Sequence, residues 1–175
     1  MRWELEWRDW SGFAPLGVDM GEVIYRLIHS EDEAEIERFY WQIDSVVVVN
    51  GALQPGATDV TACLVQGLLT ANDVSRQHVL ELLVQLGGGV DPLGSDRNLA
   101  PEVQREVLRG LPLYSEIMES GSRSERMHCM DLVSISVEID KSLTGRARAL
   151  IQQASAMGED ERRLAAAILA QFNES

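Results

Sequence analysis

MHCM at 127–130 sets His128 beside Cys129, the one adjacent pair of soft metal-ligand residue types in the chain. A metal site needs ligands that converge, and neighbours on a helix point about 100° apart. The pair therefore reads as a structural thiol beside a surface or satisfied histidine. His29, His78 and His128 are too widely spaced for the i, i+4 geometry of a helical metal site. Cys63 and Cys129 lie 66 residues apart in apolar contexts and read as small buried hydrophobes, not as a disulfide framework. GGGV at 87–90 lacks a following lysine and a preceding strand, so it fails as a phosphate loop and reads as a helix C-terminus with permissive glycines. No G-x-S-x-G occurs, and carboxylate pairs are too common in so acidic a chain to mark a site. The weakest of three functional readings is an enzyme using Asp91 or Asp96 in the loop Gly87–Asn98. The sequence thus assigns no catalytic, cofactor-binding or metal-binding residue, and a non-enzyme is expected.

Charge says more. The formal net charge is −13, with Lys141 as the sole lysine. Such a surplus leaves nothing to neutralise phosphates and argues against nucleic-acid binding; it steers basic partners inward. Through Val60 the balance is −8 and over the remainder −5, so the acidity is concentrated toward the N-terminus. Within it, SEDEAEIERFYWQID at 30–44 packs five carboxylates into seven residues and follows them with three aromatics. At helical pitch Ile36, Tyr40, Ile43 and Val47 share one arc, the expected core face. Glu33, Glu37, Trp41 and Asp44 share the adjacent arc. Glu31 and Asp32 serve as complements to a helix dipole, and Glu33 completes a capping box with Ser30. Glu37 and Asp44 around a tryptophan resemble an interface centre, where Trp is enriched; the alternative is that Trp41 packs beneath the following helix pair. Asp19 and Glu22 are placed behind this group as further contact candidates.

The elements that must position these residues are helical almost throughout. Apolar stripes predict helices over roughly 19–29 and 31–48, and one after the turn at 54–59, carried by Val60 onward to about Thr70. Another is capped by Asn72 or Asp73 and ends at Gly87–Gly89, and others run over 101–118 with a kink or break at Pro112, 122–137, 144–157 and 159–172. Val46–Val49 is kept in the second of these, because a lone strand has nothing to pair with. Trp3, Trp7 and Trp10, at i, i+4, i+7, are expected to cover the open end of the first helix pair, with an exposed binding patch as the alternative. Eight helices fall into four pairs. Their second members start near Ser30, Ser75, Ser122 and Gly158, close to the 40–47-residue period of HEAT-type repeats. The fold expected is all-α: one domain over residues 1–175, an α-solenoid of about four HEAT-like helix pairs, with residues 1–17 as N-terminal cap and a long loop at 87–98. An ordinary helical bundle competes with it. MRWELEWRDW lacks the layout of a signal peptide and VVVV at 46–49 is far too short to span a membrane, so a cytoplasmic protein is expected.

The succession WSGF (10–13), a helix, SEDEAEIERFYWQI, ALQPGATDVTACLVQGLL and SRQHVLELLVQLGGG resembles a family of small bacterial HEAT-repeat-like proteins. The likeness covers residues 10–89 well and 101–137 loosely. The chain departs from the pattern at 50–54, where NGALQ replaces a glutamine-glycine turn, and at Ala62-Cys63, where a proline is common. Such proteins are often encoded beside secreted toxins and look like immunity proteins. The resemblance implies a non-catalytic binder of a protein partner, with no cofactor. The leading expectation is therefore an immunity protein that inhibits a cognate toxin, a nuclease being compatible with the charge, through Asp19, Glu22, Glu33, Glu37, Trp41 and Asp44. A HEAT-like scaffold or adaptor for another protein is the alternative.

Overall fold

The computed structural model describes residues 2–93 and 98–174; Asp96 lies outside them. A five-residue helix α1 (Arg2–Glu6) is followed by a 3-10 segment (Ser11–Leu16) and two longer helices, α2 (Met20–His29) and α3 (Glu33–Val47). A small hairpin, β1 (Val48–Val49) with β2 (Ala52–Leu53), leads into α4 (Ala57–Gly67) and α5 (Asp73–Gly87). Then come α6 (Leu99–Arg109), α7 (Leu111–Ser120), α8 (Arg123–Ile139), a 3-10 turn (Lys141–Leu143), α9 (Thr144–Ser155) and α10 (Glu159–Glu174). The fold is all-helical apart from the two short strands, and the described residues include no helix long and apolar enough to cross a membrane.

Helices α3, α5, α8 and α10 lie side by side in that order, each touching the next. Against this row pack α2 on α3, α4 on α5, α6 and α7 on α8, and α9 on α10, and α4 also touches α2 and α6. One apolar core runs between the rows from Leu5 to Ile168. It forms because each helix buries a stripe at helical spacing: Val23, Ile24, Leu27 and Ile28 on α2, and Ile36, Tyr40, Ile43 and Val47 on α3, are all buried.

The N-terminal edge of the α3–α5–α8–α10 row is stitched by polar contacts. Asn72 caps α5, accepting from Val74 and Ser75 N–H, and its amide donates to the Ser30 carbonyl at 2.8 Å. The buried Ser75 hydroxyl donates to the Ile28 carbonyl at 2.8 Å. Ser122 and Glu125 form a reciprocal capping box at the start of α8, and Arg76 of α5 reaches across to Glu125. One step further, Arg126 of α8 reaches Glu161 of α10 at 3.1 Å. Each arginine sits one residue past the capping-box position of its own helix and binds the glutamate at that position on the next.

Several expectations are corrected. Helix α3 starts at Glu33, not 31: Asp32 is its N-cap, accepting from Ala34 at 2.9 Å and Glu35 at 3.3 Å, while Ser30 bonds Glu35 instead of completing a box with Glu33. Val48–Val49 leaves the helix because a partner strand lies only two residues on. Asn50 and Gly51 both take positive φ, 52° and 79°, the geometry of a tight hairpin turn for which Asn-Gly is the preferred pair. Val90 joins the hairpin: Leu53 N–H donates to its carbonyl at 2.9 Å and its own N–H donates to Gly51 at 3.0 Å. The stretch 101–118 is split, the break expected near Pro112 falling at Gly110, with Pro112 in the first turn of α7. Helix α6 begins earlier than expected, at Leu99, where Asp91 accepts the N–H groups of Leu99 at 2.6 Å and Ala100 at 3.0 Å. Asp91, a candidate for loop chemistry, is thus occupied as a remote helix cap.

The tryptophans do not form one covering face. Helix α1 ends at Glu6, before Trp7, so the i, i+4, i+7 alignment is broken. Trp3 and Trp7 are 84% and 69% exposed. Leu5 is the buried residue of α1, and Trp10 packs on the core while its indole N–H donates to the Leu5 carbonyl at 2.8 Å. The segment is held by Arg8 to Asp59 of α4 and by buried Phe13, whose ring lies where a Cβ on Gly56 would be, 2.4 Å away; Gly56, at φ 91°, admits no side chain.

Candidate functional site

Helix α3 carries two functional strips. Ile36, Tyr40, Ile43 and Val47 face the core, and next to them Glu33, Glu37 and Trp41 rise at one-turn intervals toward solvent. Trp41 is 57% exposed, so it does not pack beneath the following helix pair. Between α3 and α5 lies a cleft of about 410 Å³ lined by Glu33, Glu37, Tyr40 and Trp41 from one side and His78, Glu81 and Gln85 from the other. Its base is the Tyr40 ring. Trp41 meets that ring edge-on at 5.2 Å between centroids, and His78 meets it at 5.9 Å. The Tyr40 hydroxyl accepts from the Gln85 amide at 2.5 Å, with Glu81 lining the cleft beside it.

Among the described residues no arginine or lysine forms an ion pair with Glu33, Glu37, Asp44 or Glu81. The arginines that could serve are engaged elsewhere: Arg26 with Glu22, Arg38 with Glu35, and Arg76 with Asp73 and Glu125. Burial raises the Asp44 carboxyl above its ordinary range, and the charge of Glu81 raises it further. Burial and the charges of Glu81 and Asp44 likewise hold the Tyr40 phenol well above its ordinary value. Asp44 Oδ1 is shut off from solvent and has no hydrogen-bond partner. On the neighbouring α8, burial raises Asp131 and lowers His128, the latter opposed by the charges of Glu81 and Asp131. The row of half-buried carboxylates Asp44, Glu81 and Asp131 therefore continues across α3, α5 and α8.

Of the six residues singled out in the sequence, Glu33, Glu37 and Trp41 line this cleft, and Asp44 sits one turn beyond Tyr40 beside it. Asp19 and Glu22 are not brought to it. They border a separate cleft of about 280 Å³ with Arg2, Trp10 and Tyr25, where Asp19 caps α2 and Glu22 pairs with Arg26 at 2.7 Å. The residues missed are His78, Glu81 and Gln85, spaced i, i+3, i+7 beside the α5 core stripe. That polar strip, and His128 with Asp131 on α8, was the available signal.

The reactive residue types lie elsewhere or are inert. Cys63 and Cys129 are free and fully buried, and burial pushes their thiols up, Cys63 to about 11. Among the described residues no three His, Cys, Asp or Glu side chains are grouped to hold a metal ion. Compared with protein-family models, with curated proteins and with solved structures, the chain matches none.

Proposed function

We propose that this chain is a cytoplasmic HEAT-like helical-repeat protein that binds and neutralises a cognate bacterial toxin, using the acidic surface around Trp41. One observation carries the reading: a large, exposed indole framed by carboxylates that form no ion pair with an arginine or lysine among the described residues. A surface left in this state is complementary to a basic protein face, and charge complementarity of this kind speeds association and selects the partner. The repeat reading is supported by the serial packing of α3, α5, α8 and α10 and by the arginine-to-glutamate step that recurs from α5 to α8 and from α8 to α10. A nuclease toxin suits it best, because a cleft that holds phosphates is basic. The second reading, a scaffold or adaptor, is favoured by one observation of its own: Trp3 and Trp7 form another exposed aromatic surface away from the Trp41 cleft.

Co-expression with the adjacent open reading frame tests the proposal. Rescue of growth from a toxic neighbour, together with co-purification, is the expected result; a harmless neighbour with no complex overturns immunity in favour of the adaptor. Within a complex, replacing Glu37, Trp41 and Asp44 together by alanine is expected to weaken affinity by about a hundredfold or more, since a central Trp alone is worth roughly 2 kcal/mol. Unchanged affinity would place the interface elsewhere.

A further inference from the structure

We infer that the Trp41 cleft is a receptor for one arginine side chain presented by the protein partner, an inference that rests on the binding reading above. The cleft is more than a concentration of acids. Three rings shape it, with Tyr40 at the base and Trp41 and His78 set against that ring from α3 and α5. Carboxylates stand on both helices, Glu37 on α3 and Glu81 on α5, so a ligand between them meets acceptors on opposite sides.

A guanidinium matches this layout. It is planar, donates N–H groups from both edges and stacks on an aromatic face. Stacked against the indole, it would present N–H groups toward Glu37 on α3 and Glu81 on α5, both of which line the cleft. A lysine ammonium is a compact, strongly hydrated charge that cannot do both at once. Asp44, half-buried one turn beyond Tyr40 and outside the cleft lining, adds a further negative charge near Glu81, and its Oδ1 has no hydrogen-bond donor. An arriving positive charge relieves the repulsion between Asp44 and Glu81. Free arginine fits less well, because its zwitterionic end must give up water on two charges and sets an α-carboxylate beside Glu33 and Glu37, whereas the blocked peptide carries neither charge.

The test is a titration of the ¹⁵N-labelled full chain with the blocked tripeptide acetyl-Gly-Arg-Gly-amide, following the Trp41 indole N–H, assigned from the spectrum of Trp41→Phe. Its lysine and citrulline counterparts and free L-arginine serve as the other arms. The arginine peptide is expected to give a saturating shift at millimolar concentrations. Lysine should bind about three- to tenfold more weakly, citrulline not at all, and free arginine more weakly than the blocked peptide. Glu81→Gln should weaken the arginine peptide about tenfold without lowering the melting temperature. A citrulline peptide that binds equally, no saturable shift at Trp41, or free arginine binding as tightly as the peptide would each overturn the inference. A toxin complex undiminished by Glu81→Gln, with a silent titration, removes the arginine receptor and leaves immunity standing. An arginine peptide that binds a chain which rescues nothing removes immunity and leaves the receptor.

Discussion

The seam at the start of α8 and the cleft beside α3 contain the same kind of residue in opposite circumstances. Glu125 is almost wholly buried, yet it accepts from Arg76 and from the Ser122 backbone, so its charge is answered. Asp44 and Glu81 are less buried, and among the described residues neither forms an ion pair with an arginine or lysine. Burial alone would push Glu125 up; hydrogen bonds from Arg76 and Ser122 with the arginine's charge outweigh it and bring the carboxyl below its ordinary range. Burial pushes Asp44 up and nothing opposes it. A carboxylate in the seam serves the fold, and one in the cleft costs the fold something. That difference marks the cleft as a place shaped by requirements other than stability.

Breaking the seam should have the largest effect. Arg76→Met strands a buried charge on Glu125. Loss of one partner of a buried pair costs about 3–5 kcal/mol, but Arg76 is partly exposed and Ser122 still serves Glu125, so about 2–3 kcal/mol and a drop of roughly 5–10 °C in melting temperature are expected. Glu125→Gln should cost less, about 1 kcal/mol, because Arg76 can turn to Asp73, already 2.9 Å away, and to water. Equal losses from the two variants would mean that the seam is no more than a surface ion pair.

The pH dependence separates the two regions next. Glu125 and Glu161 have lowered values, Glu161 chiefly through its own backbone N–H and then through Arg126. A lowered folded value gives stability that is present above the ordinary carboxyl value of 4.5 and is lost as pH falls through the folded value. Asp44 and Asp131 have raised values, so their cost is present at neutral pH and is relieved as pH falls through those raised values toward 3.8. Mild acidification therefore relieves Asp44 and Asp131 but also costs stability through His29 and His128. Their lowered values keep them neutral in the fold while the unfolded chain takes up protons below about pH 6.5. Below about pH 4.5 the loss of Glu125 and Glu161 adds a further fall. Arg76→Met should flatten the lower arm and leave the upper one. A lower arm that Arg76→Met leaves unchanged would refute the contrast.

How far the sequence reveals these regions follows from what each depends on. The core stripe of α3 and the Asn72 cap are legible because they are local: period and cap chemistry lie within one or two turns. The hairpin was equally local, and Asn50-Gly51 is its signature, yet the same pair also stops helices, and four valines favour either state. The far wall of the cleft is different. His78, Glu81 and Gln85 lie about forty residues from Tyr40 and Trp41, and only the packing of α5 on α3 makes them neighbours. Half-buried polar residues at the edge of an apolar stripe leave its periodicity unchanged, so their i, i+3, i+7 spacing is the one local trace and it does not say what they face. Asp19 and Glu22 show the converse error, since charge counted along the chain groups residues that the fold sends to different clefts.

The smallest effect is the most discriminating. Asp44→Asn keeps the shape of the side chain and removes a charge that has no partner. At pH 7 it should raise stability by about 0.5 kcal/mol, or roughly 1–2 °C. The gain should shrink as pH falls through the raised Asp44 value, because the wild-type carboxyl is then already neutral. The same variant should weaken an arginine-bearing partner, so stability and binding move in opposite directions from a single atom change. A seam residue cannot behave this way, since removing its charge hurts the fold. If Asp44→Asn instead lowered the melting temperature at pH 7, Asp44 would be serving the fold as Glu125 does, and the distinction between the two regions would collapse.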